Sequence, residues 1–182
     1  KVEAGAPSET APRGEFVRAV AGEITRSGLA RQVTIQSFDW TALREIGPLL
    51  PGAGLIALTN GEQFLQTGKP GASPWLGLDV DSYGGDWVRA AKATIPGLTA
   101  ISPVQGDPQD GGIGDPDFVW FTTPELIRRA HDLGLQVIPW TVNDPATMRA
   151  LLRDGADGLI TDYPDRARAV FRELGIALPA SS

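Results

Sequence analysis

Short apolar segments alternate with longer segments of helical periodicity along most of the chain. Five apolar segments predict strands, near residues 33–36, 54–58, 98–101, 136–142 and 158–160. Each of them leads into a helix or a loop, and this alternation is typical of parallel α/β folds. In such folds the side chains at the carboxyl ends of the strands surround the site. The pattern therefore predicts an α/β chain whose functional residues follow its strands.

Helix boundaries are marked most clearly in the last third of the chain. Thr122 and Glu125 fit a capping box, in which the threonine caps the helix that follows. Prolines stand at the first position of three predicted helices, at Pro124, Pro145 and Pro164. The same helices are expected to end at glycines that favour a positive φ, at Gly134, Gly155 and Gly175. Earlier in the chain, helices are predicted over 15–29 and over 86–93. A further helix is predicted between them, with Asp39 or Thr41 as its cap.

Two long insertions, residues 60–82 and 104–120, follow predicted strands. Loops of this length in a compact domain are usually functional, and in a barrel they lie on the active-site face. The second insertion is acidic, but it lacks the spacing of a calcium-binding loop. We therefore assign no metal ligand to it.

Composition narrows the class of protein. The chain has 182 residues, 42% of them hydrophobic and 21% charged, with a formal net charge of −6. These values predict one domain over residues 1–182 with a real core. Lys and Arg form no basic stripe, which disfavours nucleic-acid binding. Cysteine is absent, which excludes thiolate catalysis. No apolar run reaches the roughly 20 residues of a transmembrane helix, and no signal peptide is visible.

Three motifs, VTIQSFDW, VIPWTVND and GADGLITDYP, resemble the C-terminal portion of the glycerophosphodiester phosphodiesterase family. The resemblance runs from Lys1 to about Gly175. It implies a TIM (β/α)8 barrel of the phosphatidylinositol-phosphodiesterase-like type, of which this chain covers roughly the last five strands. It also implies an activity, the metal-dependent hydrolysis of glycerophosphodiesters to glycerol 3-phosphate and an alcohol. This reaction belongs to lipid and glycerol metabolism.

The family's catalytic motifs lie mainly in its first half and are missing here. They are a His-Arg-Gly turn, a Glu-x-Asp pair, a second His and a Glu-x-Lys strand. Two histidines act as acid and base, whereas this chain has a single histidine. The resemblance therefore implies a divalent metal, Ca²⁺ or Mg²⁺, whose ligands lie mostly outside this chain. It implies the N-terminal half of the barrel as a partner, and the chain alone is expected to be inactive.

Lys1 is the one catalytic residue that the resemblance carries over. It precedes VEAGAP as the lysine of the Glu-x-Lys strand precedes a similar loop in relatives, where its role is to steady phosphate charge. The alternative is that Lys1 is a chain terminus with no role.

Four residues at or near strand ends are candidates for substrate binding: Gln36, Phe38, Trp140 and Asn143. Trp140 and Phe38 are expected to line the pocket, and Asn143 to donate a hydrogen bond. The alternative for Trp140 is a core residue at the barrel mouth. Ser37 is expected to bond to the backbone, and Thr161 and Asp162 to cap the final helix. His131 is interpreted as a half-buried residue on the barrel exterior.

Three functions stay open at this point. The first is the phosphodiesterase reading, with this chain supplying the substrate pocket and part of the barrel for a small-molecule substrate. The second is a non-catalytic barrel remnant that binds a phospho-ligand or a protein partner. The third is an unrelated barrel enzyme with its site on the two insertions. Composition hints at a bacterial source, and the resemblance favours a secreted or periplasmic location over a cytoplasmic one.

Overall fold

The computed structural model describes residues 10–178, so Lys1 lies outside the described part of the chain. Its α-helices are α1 Arg13–Ser27, α2 Trp40–Ile46, α3 Glu62–Leu65, α4 Trp87–Thr94, α5 Pro124–Asp132, α6 Pro145–Arg153 and α7 Pro164–Glu173. Its strands are β1 Thr34–Ser37, β2 Gly54–Thr59, β3 Leu98–Pro103, β4 Gly106–Asp107, β5 Val119–Trp120 and β6 Gln136–Val137. Short 3-10 helices cover Ala30–Gln32, Gly47–Leu49 and Val80–Tyr83.

The main sheet is parallel and has the order β1-β2-β3-β6. Its first three strands confirm the predicted segments to within two residues. The inner strands β2 and β3 are buried on both faces along most of their length, which explains their largely apolar sequences, whereas the edge strand β1 exposes Thr34 and Gln36. Apolar side chains from the sheet and the helices form one core, including Leu43, Leu55, Ile101 and Leu151.

The prediction of strands over 136–142 and 158–160 is wrong in its extent. β6 contains only Gln136 and Val137, and 158–160 is not a regular strand. Backbone hydrogen bonds nevertheless hold the two segments side by side, from Asp157 N–H to Val137 O and from Ile160 N–H to Pro139 O, both 2.9 Å. Pro139 has no N–H to donate, so the regular ladder cannot continue through it.

Side-chain caps begin four of the helices. They are Asp39 for α2, Asp86 for α4, Thr123 for α5 and Asp144 for α6. The first confirms one of the two caps proposed for α2. Gly134, Gly155 and Gly175 have φ of 69°, 104° and 70°, as predicted for residues that follow a helix.

Two predicted caps are wrong. The cap of α5 is Thr123, because the hydroxyl of Thr122 donates to Val104 O at 2.8 Å. Neither Thr161 nor Asp162 caps α7, whose N-cap is Tyr163 and makes no side-chain cap bond. Their polar atoms are engaged in the loop before the helix.

Asp144 gives the fold a measurable pH dependence. Burial by itself raises the pKa of this carboxyl, but hydrogen bonds from Thr147 and Ala146 outweigh burial and hold the pKa below its ordinary value. The charged carboxylate therefore stabilises the fold at pH values above the pKa of the same group in the unfolded chain, which is about 3.9. This stabilisation is lost as the pH falls through the lower pKa that the group has in the folded chain. Asp144→Asn is therefore expected to cost about 0.5 kcal/mol of unfolding free energy at pH 7.

The measurement is chemical unfolding of both proteins between pH 7 and pH 3. The difference between them should shrink on acidification, because the wild-type carboxyl loses its charge. Asp110→Asn, at an exposed loop position, is the matched control. A difference that stays constant with pH would contradict this account.

None of the helices within residues 10–178 has the length and apolar character needed to cross a membrane.

Candidate active-site face

Four aromatic side chains meet at the carboxyl ends of the strands. Phe38 follows β1, Trp140 lies beyond β6, and Phe64 and Trp75 come from the insertion after β2. The rings of Phe38 and Trp140 meet edge to face with centroids 5.4 Å apart, and those of Phe38 and Phe64 at 5.0 Å. Phe64 and Trp75 are stacked at 4.3 Å. We call these four residues the aromatic wall.

The indole of Trp140 is fixed by its own hydrogen bond. The indole Nε1–H donates to Ser102 O at 2.9 Å. The backbone carbonyl of Trp140 accepts from Gln105 N–H at 2.7 Å. Because the N–H is already used, Trp140 offers a ligand its ring and no hydrogen bond. The structure thus brings the predicted pair Phe38 and Trp140 together as an apolar surface.

Gln36 and Ser37 differ in what they offer. The Ser37 hydroxyl accepts from Asp39 N–H at 3.0 Å, which confirms that it bonds to the backbone. Gln36 is exposed on β1, and no hydrogen bond joins its side chain to another residue within 10–178. Its amide is thus free to meet a ligand.

Asn143 ties together the last two loops of this face. Its Oδ1 accepts from Thr161 Oγ1 at 3.1 Å and from Asp162 N–H at 3.0 Å. Its Nδ2 donates to Asp162 Oδ2 at 2.9 Å. One amide N–H has no partner among these contacts, so Asn143 retains one donor. Arg166 adds a bond to Asn143 O and stacks on the Tyr163 ring at 3.8 Å.

Residues 104–121 form a loop that we call the arch, closed by the antiparallel pair β4 and β5. Gln105 fixes its interior, because its Nε2 donates to Gln109 O and Gly111 O at 3.0 and 2.7 Å. Ile113 N–H donates to Thr147 Oγ1 at 2.9 Å and thereby docks the arch on α6. The sequence pattern predicts an irregular loop over these residues, and the hairpin is not apparent from it.

Gly106 is required for the arch to close. A Cβ at this position would lie 2.4 Å from the Phe118 ring and 2.5 Å from Val119 O. Gly106→Ala is therefore expected to lower the unfolding free energy by about 1–2 kcal/mol, since the hairpin must shift. Gly114→Ala is the matched control, because nothing lies within 4 Å of a Cβ there. Equal denaturation midpoints for the two variants would refute the close packing.

Two cavities lie beside the sheet, and residues of the aromatic wall line only the first of them. An apolar groove of about 550 Å³ runs between α1 and β1, and Phe38 and Trp75 line one end of it. A second cavity, of about 480 Å³, lies between the residues after β2 and the arch. Both therefore border the carboxyl ends of the strands.

His131 lies at the opposite end of the strands. It is in the last turn of α5, and its Nε2 is 2.9 Å from Asp157 Oδ2. The same carboxylate oxygen accepts Val137 N–H at 2.8 Å. The position agrees with the predicted exterior role, although the side chain is 40% exposed. This histidine is remote from the aromatic wall and takes no part in the site.

Metal ligands do not come together in the described part of the chain. Within residues 10–178, no three His, Asp or Glu side chains form a group able to hold an ion. Residues 10–178 therefore do not by themselves provide a binding site for the divalent metal that the resemblance implies. Lys1, the predicted catalytic residue, lies outside the described residues.

A sequence model described as the glycerophosphoryl diester phosphodiesterase family matches residues 2–166. A Mycobacterium tuberculosis protein named as a probable glycerophosphodiester phosphodiesterase is 46% identical over 53 residues, 29% of this chain and 20% of that protein. A solved structure from Silicibacter pomeroyi is also similar, and its protein is provisionally named a glycerophosphoryl diester phosphodiesterase. The TM-score is 0.68 and the identity 28%, over 92% of this chain and 47% of that one.

A second similar structure is that of an Oleispira antarctica phosphodiesterase in complex with its product sn-glycerol-3-phosphate. Its TM-score is 0.57 at 14% identity, over 88% of this chain and 50% of that one. The chain thus spans about half the length of the solved structures it matches. These likenesses confirm the predicted α/β fold of TIM-barrel type.

Proposed function

Because the chain belongs to the glycerophosphoryl diester phosphodiesterase family, we propose that it takes part in hydrolysing glycerophosphodiesters to glycerol 3-phosphate and an alcohol. The family match over residues 2–166 is the observation that carries the proposal. The aromatic wall supports it, since it stands at the carboxyl ends of parallel strands, where barrel enzymes bind their substrates.

The proposed task of this chain is to hold the substrate. Phe38 and Trp140 pack against its carbon skeleton, because the two rings contact each other just beyond β1 and β6 and neither is fully buried. Asn143 and Gln36 supply hydrogen-bond donors to its oxygens. The remaining amide N–H of Asn143 is held in place by the bonds to Thr161 and Asp162.

The chemical step requires more than the described residues contain. A water loses a proton as it attacks phosphorus, negative charge develops on the phosphoryl oxygens, the bond from phosphorus to the alcohol oxygen breaks, and the leaving alkoxide takes up a proton. We propose that Lys1 offsets part of that charge. Enzymes of the family are generally metal-dependent, and Ca²⁺ or Mg²⁺ is the expected ion, held by ligands outside residues 10–178.

The open edge of the sheet supports a further element of the proposal. Within residues 10–178, β1 pairs only with β2, and its Thr34 and Gln36 are exposed. The apolar groove lies along the same edge. An unpaired edge beside apolar surface favours association with another strand. We propose that the N-terminal half of a family barrel packs here and supplies the metal and the histidines.

The test is hydrolysis of a glycerophosphodiester by the purified chain, with and without divalent metal and chelator. The chain alone is expected to show no turnover. Adding the N-terminal half of a family member, such as the Silicibacter protein, should give metal-dependent release of glycerol 3-phosphate. Turnover by the chain alone would place the catalytic residues within it.

A second candidate is a non-catalytic barrel remnant that binds a phospho-ligand or a protein partner. It is favoured by the lack of a metal-ligand group among residues 10–178. Cooperative unfolding of the chain, together with no turnover in any combination, would support it. Aggregation of the isolated chain that is relieved by the N-terminal half would argue against it.

A further inference from the structure

Two buried polar atoms near the base of the arch have no hydrogen-bond partner within residues 10–178. They are Thr59 Oγ1, at the end of β2, and Gln105 Oε1, just beyond β3. Thr59 is 0% exposed and Gln105 is 1% exposed. Buried polar atoms in folded proteins almost always have a partner, because an unpaired atom keeps the full cost of leaving water. These two atoms therefore require a hydrogen-bonding group other than those of the described residues.

The orientation of the Gln105 amide is fixed by its own contacts. Its Nε2 group donates to Gln109 O and Gly111 O at 3.0 and 2.7 Å, which uses both of its hydrogens. Turning the amide over would place Oε1 against these two carbonyl oxygens, which have no hydrogen to donate. The Oε1 atom therefore points away from them, and it can only accept a hydrogen bond.

The side chains of Thr59 and Gln105 lie on the same face of the sheet. Thr59 pairs with Pro103 in the register of β2 and β3. The chain stays extended beyond Pro103, because Val104 N–H donates to Thr59 O at 3.0 Å and Gln105 N–H to Trp140 O at 2.7 Å. Side chains alternate between the two faces of an extended chain, so Gln105 shares the face of Pro103 and Thr59. Diagonal neighbours of this kind lie about 7–8 Å apart, within reach of a long side chain.

This face of the sheet is the one that the helices cover. Ala57 and Ile101, which precede Thr59 and Pro103 by two residues, are 0% exposed and belong to the apolar core. Apolar neighbours offer no hydrogen bond, and burial keeps bulk solvent away from both polar atoms. The group that pairs with them must therefore be held inside the fold.

The chemistry of the two atoms defines the group that fits between them. It must donate to Gln105 Oε1, and it must donate to or accept from the Thr59 hydroxyl. Internal water molecules typically bond to buried polar groups that lack another partner, and water both donates and accepts. We infer that an internal water molecule bridges Gln105 Oε1 and Thr59 Oγ1 and thereby attaches the base of the arch to β2. This hydration site is independent of the proposed function.

The bridge acts at the residue that holds both ends of the arch. The carbonyl of Gln105 accepts the N–H groups of Phe121 and Thr122, both at 3.1 Å, while its side chain holds the interior of the loop. Loss of the water is therefore expected to loosen the closing end of the arch first. The core beneath the central strands should keep its packing.

The stability of Thr59→Val tests the bridge, because valine keeps the shape of threonine without its hydroxyl. The equilibrium constant for unfolding should rise about fivefold, since the water loses one of its partners inside the fold. If the hydroxyl had no partner, the same substitution would be neutral or stabilising. Thr34→Val is the matched control, at an exposed position of β1, and should change the constant less than about twofold. A Thr59→Val variant no less stable than Thr34→Val would overturn the inference.

NMR of the full chain detects the water itself. At mildly acidic pH, where amide hydrogens exchange slowly, the side-chain amide protons of Gln105 should show a nuclear Overhauser effect to water. The effect should persist in Thr59→Ser, which keeps a hydroxyl, and be lost in Thr59→Val. In that variant the Phe121 N–H should also exchange with solvent about fivefold faster. No effect in the wild-type chain, or its loss in the serine variant as well, would refute the bridge. A denaturation midpoint that changes when Na⁺ is replaced by K⁺ would assign an ion to this position and would likewise refute it.

Discussion

Replacing Trp40 by alanine is expected to lower the free energy of unfolding by about 3–5 kcal/mol. The side chain is 1% exposed and belongs to the core between the sheet and α2. Its Nε1–H donates to Leu58 O at 2.9 Å and so joins the first turn of α2 to β2. Alanine removes both the packing and the donor, and it leaves a cavity that a close-packed core fills only in part. Chemical denaturation monitored by circular dichroism measures the loss.

Two further variants divide this loss into its causes. Trp40→Phe keeps most of the apolar volume and removes the donor, so it should cost about 1–2 kcal/mol. Leu49→Ala, at a side chain 48% exposed, should cost less than about 1 kcal/mol. If Trp40→Ala proved no more damaging than Leu49→Ala, the assignment of Trp40 to the core would be wrong.

Replacing Trp140 by alanine is expected to lower kcat/KM about 30-fold in the preparation complemented with an N-terminal half. The indole carries much of the aromatic wall and contacts Phe38. Loss of apolar contact worth about 2 kcal/mol, as for one large buried side chain, gives a factor of this size. The loss should appear mainly in KM, because packing against the carbon skeleton acts on ground state and transition state alike. Steady-state kinetics on one glycerophosphodiester measures it.

The contact role of Trp140 is separable from a structural one. Trp140→Phe keeps a ring in the wall but removes the N–H that donates to Ser102 O. If substrate packs on the ring, the phenylalanine variant should keep most of the activity while losing some stability. An equal loss of kcat/KM in both variants, in step with their loss of stability, would assign Trp140 to the barrel mouth as a core residue.

Local patterns predicted the strands whose hydrogen bonding is regular. Residues near 33–36, 54–58 and 98–101 are short segments rich in apolar and β-branched residues, and each forms a strand of the parallel sheet. Segment 136–142 still bonds to β3 beyond Val137, from Ile138 N–H to Ile101 O and from Trp140 N–H to Pro103 O, but Pro139 has no N–H to offer on the side of 158–160, so the regular strand is short. β4 and β5 have two residues each and were not predicted. Strands that short leave no periodic signal, and their pairing depends on how the arch folds back on Gln105.

The candidate site was predicted in part for a similar reason. Phe38 and Trp140 follow β1 and β6, the two outer strands of one parallel sheet, so sequence position alone places both at its carboxyl end. Phe64 and Trp75 were missed, because they join the wall only through the folding of an insertion. The bond between Ser73 Oγ and Phe64 O holds that insertion in place. Asn143 was expected to meet a ligand, and its bonds to Thr161 and Asp162 could not be foreseen from spacing along the chain.

The pairing of His131 with Asp157 makes this histidine a built-in spectroscopic reporter. The sequence contains one histidine, so its imidazole protons give a single set of proton NMR signals that need no assignment by mutation. Asp157 also receives Val137 N–H, so the imidazole lies where α5, β6 and the following segment meet. Its chemical shift thus reports whether that end of the sheet is assembled. Because this end is opposite the aromatic wall, an unchanged signal in Trp140→Ala would show that the effect of that substitution is confined to the wall.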